Sequence, residues 1–182
     1  MKFSISLFLV ALIAGCSSQN IKPPIDSSLN VSKLPLQESW MDTVAFSDSG
    51  KTKALLIAGH LTMFDHPNET LLDSNVKVNF YDENQIQTTT LTSLKGRVDN
   101  TNNNLYAIDS VVAINDSGVV LRTQELMWNN NTRKIITDKF VTITTPKEKI
   151  QGYGFESDQS LRNYTIYNIT YATRNDTLKN KK

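Results

Sequence analysis

The sequence predicts an all-β fold of the sandwich or open-barrel kind, and three observations lead there. Apolar residues recur with a period of two, which puts alternate side chains on one face of a strand, and not with the 3.6 period of an amphipathic helix. Turn-forming clusters punctuate the chain at roughly ten-residue spacing, as in sandwiches and barrels. Val, Ile, Thr and Tyr dominate the runs between them, and these residues suit a pleated, half-buried surface.

The N-terminal element is an export signal. Lys2 is followed by an apolar run, Phe3 to Ala14, ending in "IAGC" at Ile13 to Cys16. A run this short cannot cross a bilayer as a helix, which takes about 20 residues. A basic start, a short apolar stretch and small residues at its end are the parts of a secretory signal. The ending resembles the bacterial lipobox, with Ile13, Ala14 and Gly15 before the lipidated Cys16, so 1–15 would be removed. Cys16 is the chain's one cysteine, which excludes a disulfide framework.

Residues 16–37 then read as a lipid-anchored tether. "SSQNIKPPIDSSLNVSKLPLQ" is rich in Ser and Asn, and Pro23-Pro24 favours extended chain. One acyl chain holds a protein only marginally at a membrane, whereas two or more hold it firmly. Under the enterobacterial sorting rule, Ser17 after the cysteine would favour the outer membrane.

The domain itself spans 38–173. "NVKVNFY" places Val76, Val78 and Phe80 on one face with Lys77 and Asn79 opposite, while "LLIAGHLTMF" is apolar on both faces. "YAIDSVVAI" and "NYTIYNITY" are β-rich. Turns fall at "SDSGK" (47–51), "DHPNE" (65–69), "DNTNNN" (99–104), "NDSG" (115–118) and "NNNT" (129–132). Alternation predicts that Val78, Phe80, Val112, Ile114, Leu126, Trp128, Val141 and Ile143 face the interior. A shift of about 29 residues brings Asp109 onto Asp138, Val112 onto Val141, Ile114 onto Ile143 and Leu126 onto Phe155, suggesting a diverged two-strand repeat. Residues 174–182, "RNDTLKNKK", read as a basic, frayed tail.

No reaction chemistry emerges. Basic and acidic residues nearly balance, 19 against 18, and without a basic stripe nucleic acid is not an expected partner. His60 and His66 flank Asp65, but no third imidazole or thiol is at hand for zinc, so no metal is expected. Neither histidine has a recognisable nucleophile beside it. "GYGFES" (152–157) is not a dinucleotide fingerprint, and Gly152 and Gly154 instead suggest a bulge or close backbone approach in a strand. No enzyme and no cofactor are predicted.

Taken in order, "QESWMDTVAFSDSGKTKALLIAGH" (37–60), "VKVNFYDE" (76–83), "LTSLKGRVD" (91–99), "VVAINDSGVVLRTQELMWNNNTRKIITDKFVTI" (111–143) and "IQGYGFESD" (150–158) resemble the LptC family, periplasmic components of lipopolysaccharide export. The resemblance covers nearly the whole mature domain, in a lipoprotein-anchored form. It implies a twisted open β-jellyroll of antiparallel strands that stacks edge to edge with similar domains, making a groove along which lipopolysaccharide acyl chains move. The inward residues above would then line the lipid-binding groove. It further implies two protein partners: the periplasmic domains of the export system's ABC transporter membrane subunits, and an LptA-like periplasmic bridge protein. Val44 and Phe46 in the first domain strand, and Ile166 in the last, mark the two edges for these partners. The expected location is the periplasmic face of the inner membrane. The competing reading is a β-sandwich lipoprotein of the outer membrane that binds a protein partner.

Overall fold

The computed structural model describes residues 34–174. The lipobox Ile13, Ala14, Gly15 and Cys16, the signal 1–15, most of the 16–37 tether and the basic tail after Arg174 lie outside the described residues. Within them the predicted all-β class holds, as a single antiparallel sheet. Its strands are β1 (Gln37–Asp48), β2 (Lys51–Phe64), β3 (Glu69–Asp73), β4 (Val76–Tyr81), β5 (Gln87–Ser93), β6 (Lys95–Asp99), β7 (Asn104–Asn115), β8 (Val120–Asn129), β9 (Lys134–Thr144), β10 (Glu148–Asp158) and β11 (Tyr164–Arg174).

The order is a meander of long rungs, each antiparallel to the next. β1 pairs β2; β3 and β4 together form the third rung, pairing β2 through His60–Phe64 and Ala54–Ile57. β5 and β6 form the fourth, and β7 pairs β6 with its first half and β5 with its second. β7 to β11 then follow in sequence order. Short polar turns suffice because every connection is between neighbours.

Rung after rung breaks near its middle. Met41 interrupts β1 at φ 55; Ser74 and Asn75, at φ 60 and 71, separate β3 from β4; Asp109 and Ser110, at φ 64 and 54, bulge from β7. Gly154, at φ 75, does the same in β10, beside a register shift against β9. Left-handed backbone in a strand redirects the chain, and bulges bend the sheet. Because the breaks fall on neighbouring rungs they line up as a crease. The sheet folds along it into two facing wings, the jellyroll expected from the sequence.

Aromatic contacts show the wings meeting. Phe80 in β4 belongs to one wing and Trp128 in β8 to the other, yet their rings lie 5.5 Å apart. Phe46 in β1 meets the same indole edge-on at 5.4 Å. Opposite the crease, turns of the two wings come together through polar contacts. Arg133 reaches Asp48 at 3.2 Å, and Arg162 reaches Asp116 at 2.5 Å. Gln159 Nε2 donates to the Tyr81 carbonyl at 2.6 Å, and Asn115 Nδ2 to that of Ser160 at 3.0 Å. The wings thus enclose an apolar core between a crease and a polar seam.

Alternation correctly puts Val78, Phe80, Leu126, Trp128, Val141 and Ile143 inside, each at most 1% exposed. Val112 and Ile114 need correction: Ile114 is 47% exposed, and Val111 and Ala113 take the interior instead. "VVAI" is apolar at four consecutive positions, so either phase of alternation fits it. Pairing decides: Val111 and Ala113 stand opposite Thr123 and Leu121, both buried, whereas Val112 stands opposite the exposed Arg122.

The repeat is corrected by the same step. Ala113 pairs with Leu121, eight positions on (121 − 113), while Ile143 pairs with Ile150, seven on (150 − 143). The turn after β7 is one residue longer than the turn after β9. A shift of 29 therefore matches the faces of β8 and β10, as in Leu126 and Phe155, but inverts those of β7 and β9.

An interior sealed at its centre and open at both ends

Reading outward from Trp128, the centre of the interior is closed. Trp128, Phe80, Phe155, Leu56, Leu91, Leu105, Leu121, Leu126, Ile135 and Ile143 are all buried below 2%. Each such side chain contributes roughly 1.5–3 kcal/mol by leaving water. Leu161 joins them from the β10–β11 turn, fully buried despite a φ of 56. A turn held by the Asp158 carboxylate aims it inward: Oδ1 accepts from Ser160 Oγ at 2.6 Å and from the Arg162 N–H at 3.2 Å, and Oδ2 accepts from Asn163 Nδ2 at 2.7 Å. Burial pushes that carboxyl up, but these hydrogen bonds outweigh it and hold the group below the usual aspartate value. Two polar atoms in this centre, Trp128 Nε1 and Thr89 Oγ1, have no partner among the described residues.

Toward β1 the interior opens. Val44 and Phe46 from β1, Leu56, Leu61 and Met63 from β2, and Val98 from β6 line a cavity of about 410 Å³. Asn68, Asn100 and Asn103, from two turns at the ends of these strands, make its polar rim. Of the predicted edge residues, Val44 is half-buried and Phe46 only 8% exposed, so both point into this mouth rather than along the edge.

At the far end the inward face runs on past its cover. Ile166 stands opposite Phe155 and Ile169 opposite Gly152, yet Ile169 is 59% exposed. Among the described residues each end also carries a free edge, since there β1 pairs only β2 and β11 pairs only β10. Unpaired edges invite the addition of a further strand.

Gly152 and Gly154 both serve the backbone uses expected of them. A Cβ on Gly152 would lie 2.4 Å from the Asn168 carbonyl oxygen, so only glycine lets β11 approach this closely. Gly154 holds the bulge, with the Tyr167 ring over its Cα.

Beside the interior, His60 is occupied by packing. Its ring stacks on Trp40 at 5.2 Å, and Nδ1 lies 3.2 Å from Asp73 Oδ2. His66 is exposed beside Asp65. No group of three or more metal-ligating side chains gathers among the described residues, and no helix there is long and apolar enough to cross a membrane. The interior offers apolar contact and little else, which fits it to hold hydrocarbon.

The sequence reading missed the inward residues of β2, β5 and β6, and also Leu161. "LLIAGHLTMF" hid those of β2 because it is apolar on both faces, and β5 and β6, "QTTTLTS" and "KGRVD", hold too few apolar residues to show a phase. Leu161 sits in a turn, where periodicity says nothing.

A family model described as lipopolysaccharide-assembly, LptC-related, matches residues 3–173. No curated protein matches the chain.

Proposed function

The chain belongs to the LptC-related lipopolysaccharide-assembly family, a component of lipopolysaccharide transport, and from that premise we propose how its interior takes part. The space between the wings receives lipopolysaccharide acyl chains at the β1 mouth and delivers them at the β11 end. The observation that carries this reading is the 410 Å³ apolar mouth, lined by six hydrophobic side chains and continuous with the core. Acyl chains entering there leave water at about 0.8 kcal/mol per CH₂.

The sealed centre means that the wings part to let the chains through. Their apolar contacts are exchanged for contacts with hydrocarbon of the same kind, so the cost falls mainly on the polar seam. The unpartnered Trp128 Nε1 and Thr89 Oγ1 support the same reading. Buried donors are normally satisfied, and an ester or amide carbonyl of a passing acyl chain would accept from them. The work of opening comes from the transporter, so the chain itself is a carrier and not an enzyme.

The two free edges offer one strand to each of two partners. β1 adds to the periplasmic jellyroll of the transporter's membrane subunits, and β11 to an LptA-like bridge protein. Cys16 carries the lipid anchor and holds the domain at the periplasmic face of the inner membrane. In this arrangement Val44, Phe46 and Ile166 lie where one interior would join the next.

Filling the mouth tests the proposal. Val44 and Met63 are both only partly buried, so Val44→Trp with Met63→Trp occupies the cavity without disturbing the centre. Lipopolysaccharide transfer from transporter to bridge protein should fall at least tenfold with little change in thermal stability. Unchanged transfer through a filled mouth would reject it as the way in.

A further inference from the structure

The polar seam holds a second cavity, of about 530 Å³, within the roughly 300–1,000 Å³ of small-molecule sites. It lies between the tips of the two wings, with Lys53 from β2, Glu83 from the β4–β5 turn, Arg133 from the β8–β9 turn and Gln159 from the β10–β11 turn among its walls. Two of these side chains are set in place in ways that packing alone does not require.

Lys53 is the extra residue where β2 slips one position against β1, since Phe46 pairs with Ala54 but Ser47 with Thr52. The bulge turns its side chain into the seam, where the residue is only 5% exposed. Its ammonium donates to Glu83 Oε1 at 2.5 Å, and that bond, with the adjacent positive charge, holds the Glu83 carboxyl below its ordinary value. Burying a lysine this deeply is costly, and one exposed carboxylate leaves two of its three N–H donors free.

Gln159 presents the complementary case. Its Nε2 is committed to the Tyr81 carbonyl, which fixes the amide orientation, and its Oε1 is buried with no donor among the described residues. Lys53 and Gln159 thus bring spare donors and a buried, unpartnered acceptor to the walls of one polar cavity.

Charge decides which ligand class fits. The cavity's cations, Lys53, Arg133 and Lys134, are each paired already, with Glu83, Asp48 and Glu156. Asp82 and Asp158 add further negative charge to the lining. A phosphate would bring more negative charge to a lining whose four carboxylates, Asp82, Glu83, Glu156 and Asp158, already outnumber its three cations. A neutral sugar hydroxyl adds no charge, and hydroxyls of one ring can accept from Lys53 and donate to Gln159 Oε1. Arg133 also lies over the Trp128 ring, 5.7 Å from its centroid. The polar cavity therefore stands directly above the apolar centre.

The geometry points to the seam cavity as a saccharide site, which binds a neutral sugar ring of the glycolipid head while the acyl chains occupy the interior below. This rests on the carrier reading above and adds a recognition element to it. Recognition of the head at the seam would let the domain distinguish a glycolipid from other lipids of similar chain length.

The test uses the full chain, isotopically labelled, in a detergent without a sugar head group. Three probes are titrated separately and followed by amide chemical shifts: the deacylated, dephosphorylated saccharide of lipopolysaccharide, inorganic phosphate, and laurate. The saccharide should give saturable shifts at Lys53, Gln159 and Ser160, whereas phosphate gives none there. Lys53→Met should weaken the saccharide at least tenfold with laurate binding and thermal midpoint unchanged, and Gln159→Leu should weaken it as much with laurate binding unchanged, its lost bond to Tyr81 showing only as a lower thermal midpoint. The site is overturned if the saccharide does not bind, if it binds both variants as it binds the wild type, or if phosphate saturates the same amides. Laurate reads the carrier function separately. Saccharide binding without laurate binding would sink the carrier reading and keep the site, and the reverse result would do the opposite.

Discussion

Adding one methyl group at Gly152 should detach the β11 edge without unfolding the domain. The new Cβ would sit 2.4 Å from the Asn168 carbonyl oxygen and 2.8 Å from Ile166 Cγ2, and real Cβ contacts do not fall below 3.0 Å. One strand must therefore retreat by at least 0.6 Å (3.0 − 2.4). β10 has no room to move the other way, because Gly152 pairs there with Val141, which is fully buried. β11 has no neighbour on its outer side among the described residues and yields instead. A backbone hydrogen bond near 2.9 Å stretched that far lies outside normal geometry. Overpacking of this size costs about 1–3 kcal/mol, and if it falls on local opening of β11, amide exchange there should rise roughly 5- to 150-fold. Gly59→Ala is the contrast: its Cβ would meet the Ser74 oxygen at 2.2 Å, inside the sheet and with no free edge to yield. Hydrogen exchange read by mass spectrometry separates the two. Gly152→Ala should accelerate the Tyr164–Arg174 peptides alone and weaken capture of the bridge protein, whereas Gly59→Ala should lower the thermal midpoint of the whole domain. Uniform acceleration in Gly152→Ala, or none in β11, would refute the reasoning.

Other perturbations test other parts. Leu161→Ala should cost about 2–5 kcal/mol, the range for a fully buried leucine, unusually large for a turn residue and readable as a urea midpoint shift. The Asp158 carboxyl titrates below its unfolded value of about 3.8, so its stabilisation is present above that pH and lost as pH falls through the folded value. The stability gap between wild type and Asp158→Ala should thus be full at pH 7 and shrink below about pH 4, as denaturation across pH would show. Cys16→Ala should abolish labelling by a fatty-acid analogue and release the domain from the membrane; equal labelling of the variant would reject the lipobox.

Much of the strand pattern was legible, because the turns of the meander are local and most announce themselves through Asn, Asp, Ser and Gly. Gly152 and Gly154 were legible as backbone devices for the same reason. Pleat phase was not. Asp109 and Ser110 bulge from β7 without any residue that demands it, and the uniformly apolar "VVAI" after them conceals which side chains turn inward. The nearby Arg122 held the missing signal, since a charged residue opposite Val112 places that face in solvent. The seam was out of reach altogether: Arg133 and Asp48 stand 85 positions apart, and nothing local tells either that the folded sheet brings them together. Lys53 reads in sequence as one more solvated lysine, and only the slip of β2 against β1 buries it.

The most direct measurement of the account compares four adjacent positions in β7. A photo-crosslinking residue is placed at Val111, Val112, Ala113 or Ile114 in cells exporting lipopolysaccharide, and captured glycolipid is scored after irradiation. Val111 and Ala113 face the enclosed interior, while Val112 and Ile114 face outward along the same strand. Transport between the wings predicts capture at Val111 and Ala113 and none at their neighbours. Equal capture at all four, or capture confined to Val112 and Ile114, would contradict it.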